Sequence, residues 1–175
     1  MRSTRKGAYV LFLRIPKRSK IRIGKLGTFR FPKGGYAYVG SGMKGMEARV
    51  LRHFSEDKKL HWHIDYLLEA GEAIGFALFP CEERIECVLN DFVSRLPGSI
   101  DPVKGFGSSD CDCFSHLHLL LGCDGMPAGA HWPAIWFILQ HGLTGQDLWA
   151  CAPIYQSMRS HKRDACLCLR PRRYD

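Results

Sequence analysis

The first 40 residues contain four short segments rich in strand-forming side chains, and glycine or proline lies close to each of them. The segments occupy residues 8–15, 21–24, 28–31 and 36–40. Valine, isoleucine, tyrosine and phenylalanine favour strands, whereas glycine and proline favour turns. The pattern therefore predicts a series of strands joined by turns. In the last segment, the period of two places Tyr36, Tyr38 and Gly40 on one face.

Apolar residues recur every three or four positions in two later segments, residues 45–55 and 82–96. This spacing predicts two amphipathic helices. In the first of them, Arg49 and His53 are one turn apart and share a face. Three further short elements are predicted, a helix, a strand and a last strand, at residues 60–69, 73–79 and 114–121.

Positive charge is concentrated at the start of the chain. Residues 1–60 hold 16 Lys/Arg and 3 Asp/Glu, whereas residues 61–118 hold 3 and 10. A segment with such an excess of basic residues is typical of a polyanion-binding face, because each phosphate contact releases condensed counterions. The alternative is basicity that only keeps the protein soluble.

The distribution of apolar residues excludes a spanning helix, because no run reaches the 18 or more residues that one needs. The apolar run at residues 8–13 is interrupted by Arg14, so it is too short for a secretory signal. We therefore expect a cytoplasmic protein with no membrane partner. Its 8 cysteines are then expected to be free thiols or metal ligands rather than a disulfide framework.

An ordered series of glycine, aromatic and charged positions runs along the chain: Gly7-Ala8-Tyr9, Tyr38-Val39-Gly40, Arg49, His53 and Glu86. This series resembles the GIY-YIG nuclease superfamily. Residues 25–68 and 105–111 resemble one branch more closely, the domain of unknown function 123, which can occur fused to endonuclease III. The resemblance covers roughly residues 6–118.

The resemblance implies an α+β fold in which a small antiparallel three-stranded sheet is flanked by helices. It places Tyr9 and Tyr38 on adjacent central strands and assigns the nuclease-like domain to residues 1–121. The two tyrosines are 29 positions apart, a wider spacing than is usual in the superfamily. An inserted hairpin at residues 17–33 would account for the difference. The superfamily's late asparagine has no match, and Asn90 is not assigned its role.

The resemblance also implies a function, a metal-dependent endonuclease that hydrolyses phosphodiester bonds in DNA. Glu86 is the implied ligand of a single Mg²⁺ or Mn²⁺ ion, since Mg²⁺ takes few protein ligands and prefers carboxylates. The planar fork of Arg49 matches two phosphate oxygens. Tyr9 or Tyr38 is implied as the general base, although a phenol with a pKa near 10 needs a strong field to ionise. His53 would hydrogen-bond a phosphate or position water.

Three lysines, Lys44, Lys58 and Lys59, are predicted to contact the nucleic-acid backbone. Each of them alone is also typical of an ordinary solvated side chain. Because members of this branch can occur fused to endonuclease III, the resemblance further implies a functional link to an endonuclease III-type repair glycosylase. The second hypothesis for the whole chain is a non-catalytic nucleic-acid-binding module of the same fold.

Two groups of residues carry metal-binding side chains outside this series. The first comprises Cys111, Cys113, His116 and His118. Its spacing, C-x-C-x-x-H, is not that of a standard zinc finger, so zinc is disfavoured. The second comprises His61, His63 and Asp65 around Trp62. In it, His61 and Asp65 would share a helix face, and hydrogen-bonded structural roles are favoured over a metal.

The amino-acid composition changes after residue 121. Residues 122–155 are rich in glycine, proline, tryptophan and alanine and poor in charge, and the final stretch is basic again. We predict an irregular C-terminal extension at residues 122–175. Three alternatives fit this composition: a docking appendage, a poorly ordered tail, and an extension of the reading frame that is not under selection.

Overall fold

The computed structural model describes residues 5–55, 57–96 and 98–121, together with the strand Cys168–Leu169. The predicted C-terminal extension otherwise lies outside the described residues. Eight strands and three helices follow one another along this part of the chain. In chain order they are β1 Gly7–Ile15, β2 Ser19–Ile23, β3 Gly27–Phe31, β4 Gly34–Ser41, α1 Met46–His53, α2 His63–Leu68, β5 Glu72–Pro80, α3 Glu86–Ser94, β6 Ser99–Ile100, β7 Leu117–Leu120 and β8 Cys168–Leu169.

The main sheet has the strand order β6-β7-β4-β1-β5-β8. Every pairing between neighbours is antiparallel. The α+β class is therefore confirmed, whereas the expected three-stranded sheet is larger in the structure, with β4, β1 and β5 at its centre. The expected strand number is too small, because β7 and the two-residue strands β6 and β8 extend the sheet at its edges. Such short edge strands depend on distant pairing partners and carry little local signal.

The hairpin predicted between the two motif tyrosines is present. Strands β2 and β3 pair with each other as a separate two-stranded sheet. Its apolar side chains Ile21, Ile23 and Phe31 are buried in the same core as those of β1. The hairpin thus lies between the two tyrosine-bearing strands in sequence, while β1 and β4 remain paired in the sheet.

Strand β1 is buried on both faces and explains the positions of the helices. Its alternate residues Tyr9, Leu11 and Leu13 enter one core, which α1, α2 and the hairpin cover. The residues between them enter a second core, which α3 covers with Leu89 and Val93. A strand with a helix-covered core on each face needs a continuous apolar run, as this segment has.

The helices are shorter than the sequence pattern predicts. Helix α3 begins at Glu86 rather than at residue 82 and ends at Ser94. Helix α1 spans Met46–His53 within the predicted 45–55. None of the helices in the described part of the chain is long and apolar enough to cross a membrane.

Candidate active site

A cleft of about 630 Å³ lies beside the end of β4. It is lined by four of the residues predicted to act on a nucleic acid: Tyr38, Lys44, Arg49 and Glu86. They come from β4, the loop after it, α1 and α3. Trp62, Arg84 and Asp110, none of them predicted as site residues, line the same cleft.

Glu86 reaches this cleft although its helix packs on the other face of the sheet. The buried side of α3 contacts the second core, whereas Tyr38 belongs to the first. Glu86 is the first residue of α3, and its side chain is 22% exposed. Its Oε1 atom lies 3.3 Å from His116 Nδ1. Because it stands at the end of the helix, its carboxylate can extend past the sheet into the cleft.

Arg49 is held on the cleft wall by two contacts. Its Nη1 atom donates a hydrogen bond of 2.6 Å to the backbone carbonyl of Ser41, and its guanidinium lies 4.4 Å from the Trp62 ring centroid. Arg52 lies over the same ring at 4.3 Å. A guanidinium offers five N–H donors, and no other hydrogen bond from Arg49 is formed within the described residues. The fixed fork therefore keeps donors for a ligand.

Tyr38 is the motif tyrosine that lines the cleft. Its ring packs edge-on against Phe106 at 6.1 Å and His53 at 6.3 Å. Burial raises the pKa of the Tyr38 phenol, the Glu86 charge raises it further, and Arg49 opposes the change. The resting side chain is therefore a neutral phenol at physiological pH.

Gly107 lies close against the ring of Tyr38. Its φ angle is +76°, and a Cβ atom there would lie 2.9 Å from Tyr38 Cε2. Its backbone N–H donates a hydrogen bond of 3.0 Å to His63 Nδ1. A side chain at this position would be strained and would displace the phenol.

Tyr9 and His53 lie behind the cleft rather than in its wall. A hydrogen bond of 2.7 Å joins the Tyr9 hydroxyl to His53 Nε2, and the two residues are only 1% and 3% exposed. Burial lowers the pKa of His53 to about 3 and raises the pKa of Tyr9 well above its usual value. Both groups are thus neutral, and either can donate, depending on the imidazole tautomer.

The glycine of the Tyr38-Val39-Gly40 motif has a steric explanation. Gly40 is the register partner of Tyr9 across the β1–β4 pair. A Cβ atom on Gly40 would overlap the Tyr9 ring and hydroxyl. The phenol passes directly over the glycine backbone, so a larger residue would move it away from His53.

The expected group around Trp62 has a structural role. Asp65 is fully buried and accepts hydrogen bonds of 2.7 and 3.0 Å from Arg52. It also accepts the backbone N–H groups of His61 and Trp62 at 3.0 and 2.9 Å. Burial opposes its ionisation, but these donors lower the pKa of Asp65. Both carboxylate oxygens are occupied, which agrees with a structural role rather than metal ligation.

Two of the three predicted lysine contacts lie outside the cleft. Lys58 donates a hydrogen bond of 2.8 Å from Nζ to the His53 carbonyl at the end of α1. Burial lowers the pKa of Lys58. Lys59 is exposed, and its carbonyl accepts a hydrogen bond from Arg52. Only Lys44 shares the cleft with Tyr38.

The cysteine-rich loop gathers a different set of side chains from the one that its spacing suggests. Cys87, Cys111, Cys113 and His116 place one ligand atom each within 4.8 Å of one another. His118 lies apart, bonded to Asn90 Oδ1 at 2.9 Å and Asp101 Oδ1 at 2.6 Å. The inclusion of His118 was therefore wrong, and Cys87 was missed.

Comparison with known proteins gives one result. A family model described as "Domain of unknown function DUF123" matches residues 8–124. No curated protein and no solved structure matches the chain. The family match covers the strands, the helices and the loop that build the cleft, and on this ground the chain belongs to the family of Domain of unknown function DUF123.

Proposed function

We propose that this chain is a divalent-metal-dependent endonuclease of the GIY-YIG type that hydrolyses phosphodiester bonds in DNA within the cleft. One observation carries the proposal. Tyr38, Arg49 and Glu86 come from separate elements and line one cavity. A phenol, a fixed guanidinium and a carboxylate together provide water binding, phosphate binding and cation binding, which phosphodiester hydrolysis requires.

Substrate binding is supported by the cations of the cleft. Lys44, Arg49 and Arg84 line it. Contacts from such residues to phosphates position a strand without reading its sequence. Arg49 is the residue suited to the scissile phosphate, because its contacts with Ser41 and Trp62 fix its planar fork before the substrate arrives.

The residues present fit a Mg²⁺ ion. Glu86 Oε1 is turned towards His116, which leaves the second carboxylate oxygen for a ligand. Asp110 supplies another carboxylate in the same cavity. Mg²⁺ keeps several waters and takes one or two carboxylates together with substrate phosphates. When bound, the ion would act as a Lewis acid that offsets the charge on the phosphate and on the leaving oxygen.

The positioning of the attacking water is assigned to Tyr38 rather than to Tyr9. Tyr38 lines the cleft and can therefore contact a DNA strand bound there. As a neutral phenol, it can orient the attacking water through its hydroxyl. Tyr9 is a positioning residue, because it is buried behind the wall and bonded to His53. The same is true of His53, whose ring packs against that of Tyr38.

A Glu86→Gln variant tests this proposal. We expect it to bind DNA like the parent and to lose at least about 100-fold of its Mg²⁺-dependent nicking, the scale of loss when a transition-state charge partner is removed. Glu83→Gln is the matched control, since Glu83 is exposed and outside the cleft. Nicking is measured on duplex, flapped, nicked and single-stranded DNA with Mg²⁺ or Mn²⁺.

Three outcomes decide between the hypotheses. If the parent binds these DNAs and cuts none of them, the endonuclease proposal is wrong and the non-catalytic binding module is supported. Equal nicking by the parent and by Glu86→Gln would remove the metal role of Glu86. Preferred cutting of flapped or nicked strands would support a repair role beside an endonuclease III-type glycosylase.

A further inference from the structure

Three thiols and one imidazole meet beside the cleft. Cys87 comes from the first turn of α3, while Cys111, Cys113 and His116 come from the loop before β7. Their four ligand atoms lie within 4.8 Å of one another, and Cys111 Sγ is 3.4 Å from His116 Nε2. All three cysteines are free thiols.

We propose that Cys87, Cys111, Cys113 and His116 form a zinc site. Three thiolates and one imidazole are an established tetrahedral donor set for Zn²⁺. With zinc–sulfur bonds of about 2.3 Å, tetrahedral sulfurs are about 3.8 Å apart. The four atoms are thus close enough for small side-chain rotations to complete the coordination.

His116 supplies the second observation that points to a metal. It is 1% exposed, its Nε2 atom faces the thiols, and its Nδ1 atom is buried without a well-directed hydrogen bond in the described structure. Nδ1 lies 3.3 Å from Glu86 Oε1. Metal-bound histidines commonly direct their second ring N–H to a carboxylate, which fixes the tautomer and the ring.

The zinc site also has a consequence for Glu86, and this part rests on the proposed function. Among the residues that the structure describes, no side chain caps the N-terminus of helix α3 with a hydrogen bond. A metal bound to Cys87 would tie that end to the loop, and His116 would hold one oxygen of the neighbouring Glu86. Zinc would therefore act as a positioning element for the carboxylate of the cleft, with no part in bond cleavage.

The experiment measures zinc in the full chain purified under reducing conditions. We expect about one zinc per chain and at least about a fivefold loss of zinc content in Cys87→Ser and Cys113→Ser. Cys81→Ser is the control, because Cys81 is also a free cysteine but lies outside the cluster. Replacement of zinc by Co²⁺ should give the ligand-field bands of a tetrahedral thiolate site in the parent and in Cys81→Ser, but not in Cys87→Ser or Cys113→Ser.

Folding and function are followed by independent measurements. Chelation should lower the thermal midpoint of the parent, and Zn²⁺ but not Mg²⁺ should restore it. Glu86→Gln should keep its zinc while losing nicking. Cys87→Ser should need more Mg²⁺ than the parent for half-maximal nicking, because its Glu86 is displaced.

The zinc proposal and the endonuclease proposal fail on different results. A parent that takes up neither zinc nor Co²⁺ when reduced, or serine variants that keep both, would overturn the zinc site whatever the chain does to DNA. An unchanged Mg²⁺ requirement in zinc-free Cys87→Ser would overturn the positioning role alone. A zinc-loaded chain that cuts no DNA would leave the site standing and refute the endonuclease.

Discussion

The Tyr9 hydroxyl and the His53 imidazole share a hydrogen bond of 2.7 Å inside the protein core. The bond joins the central strand to helix α1. Burial lowers the pKa of His53 to about 3, so a proton on this imidazole is disfavoured in the folded state. The stability of the fold therefore depends on pH through His53, whose ring also packs against that of Tyr38.

His53 should make the protein less stable as the pH falls. Its pKa rises from about 3 when folded to 6.5 when the chain unfolds. Between these pH values the unfolded chain binds more protons than the folded chain. The contribution of neutral His53 to the free energy of unfolding is therefore complete above about pH 6.5, and it is lost progressively as the pH falls towards about 3. The free energy of unfolding should fall by up to about 1.4 kcal/mol per pH unit. Urea denaturation at several pH values measures this slope.

The control for this prediction is His53→Gln, which removes the titration but keeps a polar side chain opposite Tyr9. Its free energy of unfolding should depend less steeply on pH between 6.5 and 4. Acid loss of metal would affect both proteins alike. Parallel pH profiles for the two proteins would show that His53 is not the group responsible.

Gly40→Ala should destabilise the fold because the new Cβ atom would overlap the Tyr9 ring. Overpacking of this kind costs about 1–3 kcal/mol. A double-mutant cycle with Tyr9→Ala isolates the cause, since the ring is then absent. In that background we expect Gly40→Ala to be close to neutral. A cost that is the same in both backgrounds would mean that the ring of Tyr9 does not require the glycine.

Arg49→Lys should reduce nicking by about 10- to 100-fold while changing DNA affinity much less. The lysine keeps the charge but loses the planar fork that matches two phosphate oxygens. Arg30→Lys is the matched control, because Arg30 is exposed on β3 and outside the cleft. Nicking rates at saturating DNA measure the effect. Full activity in Arg49→Lys would reduce the role of Arg49 to that of a general positive charge.

The strands and the hairpin could be predicted from sequence because their signals are local. Runs of strand-forming residues, with glycine or proline close to each, mark β1 to β4, and the structure places strands there. The start of α3 was predicted four residues too early. Glu82 and Glu83 extend the helical pattern, but the helix begins at Glu86. Local propensity does not fix helix ends closely.

The cysteine cluster could not be predicted because its members meet only through the tertiary fold. Cys87 is on α3, 24 positions before Cys111, and no short spacing motif contains both. His118 looked equivalent to His116 in sequence. In the fold it meets Asn90, one turn further along α3 than Glu86. Pairing of α3 with the segment before β7 therefore decided which histidine joins the thiols.

The lysines provide a last test, in which Lys44 and Lys59 are compared directly. Lys44 lines the cleft, whereas Lys59 is exposed outside it. If DNA lies in the cleft, Lys44→Ala should weaken binding at low salt and reduce the slope of log Kd against log salt by about one. Lys59→Ala should leave this slope close to that of the parent, because no cleft contact is lost. Fluorescence anisotropy with a labelled duplex over a salt series measures both. Equal slopes in all three proteins would place the bound DNA on another surface, since each phosphate contact from a lysine contributes to counterion release.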